Sequence, residues 1–474
     1  MKRLPLFLFT LFLCGVAFAD ESWLGLYMQG KKIGYSHYTE AAGQVEGKPG
    51  KIGTSLTVVK SQMLGASLDM TVTTKSWLTE KGDLKRLVYD MSSAGRTLKV
   101  DATFLAKEIK ATLDTSGRVS QHTIAIPDGA KILDDPTATI ISGGFAKLDN
   151  PQEFYQFDPT SLSLIKTTMS YGGKQKVEID GKSVDAELID INDPRAPMKM
   201  YFTAKGDLMK ASGPFGMEMY PESRAVAMDL STSRGTSGGT DIAEASRIMP
   251  DREIKNPEGR ESLELLISAT DLTRVPSGGH QTVQQDSAGF RLTIHPIRKP
   301  NSETTIAQAA AAQPEWVKPD IRVPSDSAEF KNLAKEIVGD ETRVVAAAEK
   351  VRRFVLRTVG VNAGIGVMRD AGEILETKEG VCRDHAILMS AILKAANIPT
   401  RLVAGLVYFD GGFYYHAWVE VWDGDQWYGL DSTRSAQFLT ATHIKTREGK
   451  VGEAYTGFLL NEAKIKVLSA GAPQ

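Results

Sequence analysis

Cysteine is nearly absent. The 474 residues hold two, Cys14 and Cys382. Cys14 falls inside an N-terminal stretch with the marks of an export signal. Lys2 and Arg3 open it, Leu4 to Phe18 is apolar, and Ala17-Phe18-Ala19 offers a small-x-small cleavage site before Asp20. Cleavage there would remove residues 1–19 and leave Cys382 alone, which excludes a disulfide within the mature chain. Leu13 precedes Cys14 where lipid attachment wants a small residue, so a lipid anchor is disfavoured. The expected location is periplasmic or secreted. An unpaired thiol is a liability in an oxidising compartment, so keeping one favours a chemical role over a packing one.

Other absences narrow the reading further. Outside residues 4–18 no apolar run could cross a bilayer, and that run is too short and wrongly flanked for a stable span. Charge of one sign is not in excess. The formal net charge of −2 gives no case for nucleic acid or an anionic membrane as partner. No HExxH or paired CxxC spacing is present, so neither a metal nor another cofactor is expected. What remains is ordinary for a globular chain, 42% hydrophobic and 24% charged, with the length of several domains.

The informative stretch runs from Gly380 to Thr433. The apolar, alanine- and leucine-rich run Ala386 to Ala396 reads as a helix, stopped by Asn397-Ile398-Pro399. Gly380 would let the chain turn sharply before it. Cys382 then falls in the first helical turn, where unpaired N–H groups and the positive dipole end favour thiolate and could donate to an oxyanion. Arg401 to Tyr408 and Phe413 to Trp422 read as strands joined by the turn Asp410-Gly411-Gly412. His416, Trp418 and Glu420 share one face of the second strand by the two-residue period. A third strand, Gln426 to Leu430, ends at Asp431. If these strands are antiparallel neighbours, Asp431 lies beside His416 and orients it, and the opposite ring nitrogen faces Cys382.

Each residue alone has a plainer explanation. A cysteine near a helix start is usually a small buried hydrophobe. A histidine among aromatics is usually a half-buried strand residue, and an aspartate at a strand end a cap. The order thiol, imidazole, carboxylate on successive elements outweighs these readings and points to an activated cysteine nucleophile. His385 competes with His416 as the base, but it sits three residues along the helix from Cys382 and is poorly aimed. Asn397, Asp410 and His443 read as structural, as do the isolated His37 and His122. Arg352, Arg353 and Arg357 read as a solvated helix face.

The stretch resembles the catalytic core of the transglutaminase-like superfamily in its bacterial form. The likeness rests on Gly380-Val381-Cys382, Ile398-Pro399-Thr400-Arg401, His416-Ala417-Trp418, and Trp427-Tyr428-Gly429-Leu430-Asp431-Ser432-Thr433. Asp370 to Leu375 also matches a short helix ahead of the nucleophile in such domains. The resemblance spans residues 315–470. It implies a papain-like α+β core with Cys382 as nucleophile, His416 as base and Asp431 as the orienting carboxylate. It also implies a peptide or protein substrate. Arg383 stands where the animal enzymes carry a tryptophan, residues 340–380 contain no tryptophan, and their calcium sites have no counterpart. Transamidation of protein glutamines is therefore not implied over hydrolysis of an amide.

The rest of the chain completes an α+β architecture. Residues 20–230 read as a β-rich domain, a meander of long antiparallel strands in an open or half-closed sheet. Residues 134–168 are mixed, with a helical turn or two near Thr160. Trp23, Tyr27, Tyr35, Met63, Met70 and Met91 read as sheet core. Ser231 to Thr240 is a linker. A small β segment with its connector occupies 241–310, with Thr304 to Pro314 read as connector, before the catalytic domain at 315–470. The expected function is an exported cysteine-dependent acyl-transfer enzyme that hydrolyses peptide or amide bonds or transamidates. The alternative is a non-catalytic scaffold of the same fold that binds peptide or lipid.

Overall fold

The computed structural model describes residues 21–134, 145, 150–234, 240–269, 272–456, 460 and 462–472. The export signal and half of the 231–240 linker lie outside them. The chain divides into two compact units. Of the described residues, one holds Glu21–Ala245 with Gly364–Val367; the other holds Ser246–Ala363 and Met368 onward.

Among the described residues the first unit is built on one antiparallel sheet of fourteen strands. They are β1 (Glu21–Met28), β2 (Lys31–Val45), β3 (Lys48–Met63), β4 (Ala66–Thr79), β5 (Leu84–Ser93), β6 (Arg96–Phe104), β7 (Glu108–Thr115), β8 (Arg118–Ala125), β9 (Gln152–Asp158), β10 (Ser163–Ile179), β11 (Lys182–Asn192), β12 (Met198–Phe202), β13 (Leu208–Ser212) and β14 (Met217–Pro221). Their order is two meanders, β8 to β1 and β14 to β9, joined where β1 pairs with β14. Two-residue turns make this possible. Gln29-Gly30, Glu46-Gly47, Leu64-Gly65, Ala94-Gly95, Ser116-Gly117 and Asp180-Gly181 all have both φ angles positive. That mirror-image turn matches the twist of paired strands. Leu64-Gly65 splits one long Thr/Val/Met-rich stretch into β3 and β4.

Burial in this sheet follows the two-residue period. On β5 to β7, Leu87, Tyr89, Met91, Leu98, Val100, Ala102, Ile109, Ala111 and Leu113 are buried, with more exposed residues between them. Tyr27, Met63 and Met70 are buried as expected. Trp23 and Tyr35 are only half-buried, and Trp23 stacks on His37 with ring centroids 3.9 Å apart. The helical turn expected near Thr160 is instead a tight turn between β9 and β10. Asp158 accepts from Thr160 N (2.9 Å), Thr160 Oγ1 (2.7 Å) and Ser161 Oγ (2.7 Å). Such side-chain bonds offer the backbone an alternative to a helix.

Among the described residues the second unit has two four-stranded sheets, a short parallel pairing of Gly360–Val361 with Glu379–Gly380, and a helical layer. Its small sheet contains β15 (Leu263–Ser268), β16 (Gln281–Asp286) and β17 (Gly289–Ile294). The helices are α1 (Ile306–Ala312), α2 (Ala328–Val338), α3 (Val344–Thr358), α4 (Ala371–Thr377) and α5 (Cys382–Ala395). The larger sheet is β18 (Thr400–Phe409), β19 (Gly412–Trp422), β20 (Trp427–Leu430) and β21 (His443–Gly449), in the order β20-β19-β18-β21. The small sheet takes its fourth strand, β22 (Lys464–Ala470), from near the C-terminus, paired to β15. Where a connector was expected, α1 forms. Thr305 Oγ1 accepts from Gln308 N at 3.2 Å and Gln308 Oε1 accepts from Thr305 N at 2.9 Å, a capping box that offsets the nearby Pro314. Helix α5 packs on β19 and β18, with α2, α3 and α4 against it.

Candidate active site

Cys382 is the first residue of α5 and is 1% exposed. Val381 caps the helix, and its N–H donates to Asp384 Oδ2 at 3.0 Å. Asp384 is buried between two guanidinium groups, Arg369 at 3.2 Å and Arg383 at 3.5 Å. Burial pushes its carboxyl up, but Arg369, Arg383 and the Val381 N–H outweigh that and hold it below the usual range. Gly380 serves this packing rather than a sharp turn. It lies in a short parallel pairing with Val361, and a Cβ there would stand 2.6 Å from Asp384 Cβ and 2.9 Å from an Arg369 nitrogen. Burial pushes the phenol of Tyr455 well above its ordinary value.

His416 sits mid-strand on β19, opposite Gly405 of β18. Gly405 also pairs with Lys445 of β21. A Cβ on Gly405 would lie 1.9 Å from Ile444 O and 2.9 Å from Trp418 Cη2, so only glycine lets Trp418 and β21 close over that point. Strand β20 ends at Leu430, opposite Val419. Asp431, the next residue, meets the imidazole just past the ladder.

His416 Nε2 donates to Asp431 Oδ2 at 2.9 Å. The other carboxylate oxygen, Oδ1, accepts from Thr433 N (2.8 Å) and Thr433 Oγ1 (2.7 Å). Burial pushes the Asp431 carboxyl up, yet His416 and His443 hold it well below the ordinary aspartate range. His416 Nδ1 is buried with no hydrogen-bond partner among the described residues. With Nε2–H given to Asp431, Nδ1 is the ring nitrogen left to exchange a proton. The expected pairing of His416 with Asp431 is present, and α5, which starts at Cys382, packs on the strand that carries His416.

Two other residues differ from their sequence reading. Arg352, read as solvated, is 2% exposed. It donates to Arg434 O at 2.8 Å and reaches Asp431 O at 3.4 Å, while Glu349 takes its other nitrogens at 2.7 and 2.9 Å. The apolar face of α3 foretold this: Arg352 lies four residues after Ala348 and three before Val355, both buried. His443 also enters the site. Its Nε2 lies 3.6 Å from Asp431 Oδ2, so His416, Asp431 and His443 bring ligand-type atoms within 4.8 Å of one another. His385, the rival base, pairs its Nδ1 with Ser432 Oγ at 3.2 Å.

Beside the site the sheet buries a charged group. Glu420, on the His416 face of β19, accepts from Arg401 (2.6 and 2.8 Å) and Lys445 (3.0 and 3.1 Å). Burial pushes Glu420 up, but Lys445 and Arg401 hold it ionised below the ordinary value.

The transglutaminase-like superfamily model matches residues 331–432. The match thus runs from within α2 to Ser432 and stops short of His443. A protein-glutamine gamma-glutamyltransferase of Pseudomonas aeruginosa is 36% identical over 74 residues, 13% of this chain and 11% of that protein. The chain therefore spans only a small part of that relative's length. An uncharacterized protein of Mycobacterium leprae is 23% identical over 200 residues, 35% of this chain and 70% of that one. Among solved structures, a chain from Cytophaga hutchinsonii described as a candidate cysteine protease aligns at TM-score 0.33 and 17% identity, covering 45% of this chain and 90% of that one. A β-barrel-like protein of unknown function from Brucella abortus aligns at TM-score 0.32 and 14% identity, covering 43% and 94%. At these scores neither structure carries an argument about activity. No helix among the described residues is long and apolar enough to cross a membrane.

Proposed function

We propose that the chain is an exported cysteine-dependent acyl-transfer enzyme acting on an amide of a peptide or protein. The Cys382 thiolate attacks the carbonyl carbon, and His416 Nδ1 takes the thiol proton. Asp431 stabilises the imidazolium so formed. The oxyanion is received by the backbone N–H of Cys382 in the first turn of α5. Collapse breaks the C–N bond, His416 returns the proton to the leaving amine, and a thioester remains on Cys382. Water then attacks that thioester, with His416 again as base, and regenerates the thiol.

The observation that supports this most is the buried Nδ1 of His416, without a hydrogen-bond partner among the described residues, whose Nε2 is committed to an ionised carboxylate. The Pseudomonas relative is named for transfer of glutamine acyl groups. Transfer and hydrolysis share the thioester and differ only in whether an amine or water takes the acyl group. Hydrolysis is favoured because water needs no site of its own.

The burial of Cys382 favours a second reading. A thiol that is 1% exposed is shut off from a large substrate, so the fold would act as a peptide- or lipid-binding scaffold unless its cover moves. The experiment compares full-length protein with Cys382→Ala, treated with an activated amide probe and read by intact mass. Acylation of the wild type alone supports the enzyme. Equal labelling of the two proteins removes Cys382 as nucleophile, and no labelling of either supports the scaffold.

A further inference from the structure

His443 lies outside the matched superfamily segment, yet its ring is built into the site. It is fully buried on β21. Its ring centroid is 5.7 Å from that of His416, and it stands at 90° to Trp418 at 5.4 Å. One nitrogen is fixed by the backbone. Thr440 N donates to His443 Nδ1 at 3.1 Å, and Thr440 Oγ1 lies 2.9 Å from the same atom. An N–H can only donate, so Nδ1 must be the bare acceptor and the ring proton must sit on Nε2. That Nε2–H has no hydrogen-bond partner among the described residues. It faces Asp431 Oδ2 at 3.6 Å, the same oxygen that holds His416. The distance is longer than a hydrogen bond, but a buried N–H dipole this near an ionised carboxylate acts strongly where water is excluded.

We propose that His443 is a positioning residue for the acyl transfer: its Nε2–H faces the Asp431 oxygen that holds His416 and takes a share of that carboxylate's charge. The consequence follows from general acid chemistry. An aspartate with one fewer donor binds the His416 imidazolium more tightly. The imidazolium then gives its proton less readily to the leaving amine. The other titratable groups beside His443 are His416 and Arg434, and His280 Nε2 meets its backbone oxygen at 2.9 Å. Burial keeps the ring neutral, at about 4, so it acts as a dipole and not as a second cation. The same donor pattern disfavours a cation held between His416, Asp431 and His443. A metal on His443 Nε2 would move the ring proton to Nδ1, directly against the Thr440 N–H.

This inference rests on the proposed pairing of Cys382 with His416. Two variants isolate the contact. His443→Asn keeps an acceptor near the Nδ1 position for Thr440 and loses the group facing Asp431. His443→Gln extends an amide N–H back toward Asp431. Iodoacetamide alkylation of Cys382 against pH, in the full-length protein, needs no substrate. His443→Asn should move the midpoint down by about half a pH unit, because the thiolate–imidazolium pair forms more easily. It should also lower turnover of an amide substrate by about tenfold. His443→Gln should restore both toward wild type. A folded His443→Asn with an unmoved midpoint overturns the proposal, as does a His443→Gln that matches it. An ordinary thiol midpoint in the wild type instead overturns the catalytic reading itself. Should both variants fail to fold, side-chain 15N shifts of histidine-labelled wild type decide. A protonated Nδ1 on His443 near neutral pH overturns the proposal, and a bare Nδ1 with protonated Nε2 supports it.

Discussion

Arg352 on α3 donates to the backbone oxygen of Arg434 at 2.8 Å, three residues past the carboxylate that holds His416. The segment after β20 is thus fastened from the helical layer, and Thr433 fastens the Asp431 carboxylate from within. Replacing Arg352 by Met takes the donor from the Arg434 and Asp431 carbonyls and leaves Glu349 with Arg353 alone. The loss should be about 2–4 kcal/mol of stability by buried-network arithmetic, read by chemical denaturation. Turnover should fall in the protein that remains folded, because Asp431 loses its outer support. Unchanged turnover would mean that Thr433 alone sets the carboxylate.

The site should fail in acid, in two steps. Burial places His443 at about 4, below the ordinary histidine value of 6.5. Its neutral form is the one that folds, so that contribution is complete above about 6.5 and is lost as pH falls toward 4. For one buried group the loss is roughly 3 kcal/mol. His280, also lowered by burial, adds to the same fall. Asp431 is held well below 3.8 by its imidazole partners against burial, so its contribution survives to still lower pH. Denaturation midpoints against pH should therefore fall between 6.5 and 4, and less steeply in His443→Asn. Parallel curves for the two proteins would remove His443 as the cause.

Glu420 and Lys445 give a test that does not depend on catalysis. Lys445→Met strips one cation from a fully buried carboxylate, and Arg401 alone remains against it. The cost should be about 3 kcal/mol or more. Adding Glu420→Gln should recover part of that loss, since the uncompensated charge is gone. A double variant as unstable as the sum of both singles would show that the two side chains act independently.

Much of this was legible in the sequence. The helix opened by Cys382, the strand with His416 and the strand ending before Asp431 each carried a clear period and a clear stop. The hairpins at Asp180-Gly181 and Asp410-Gly411 carry the usual turn residues. Leu64-Gly65 and Ala94-Gly95 make the same turn with residues that do not announce it, because glycine at the second position suffices and the first tolerates a modest strain. His443 was not legible as a site residue. Its place depends on β21 pairing to the far side of β18, an order that no local spacing encodes. Nor was the small sheet's fourth strand, which comes from the opposite end of the unit. Arg352 was misread for another reason: a charged residue on an apolar helix face was assigned by type and not by its position in the period.

On the proposed mechanism the imidazole of His416 holds Cys382 ionised. Iodoacetamide alkylation of wild type and His416→Ala, followed from about pH 4 to about pH 10, measures it directly. The wild type should react with a midpoint well below the ordinary thiol value of about 8.5, and His416→Ala should lose that low-pH reactivity. A wild-type midpoint at the ordinary value, or one unmoved by His416→Ala, would contradict the account.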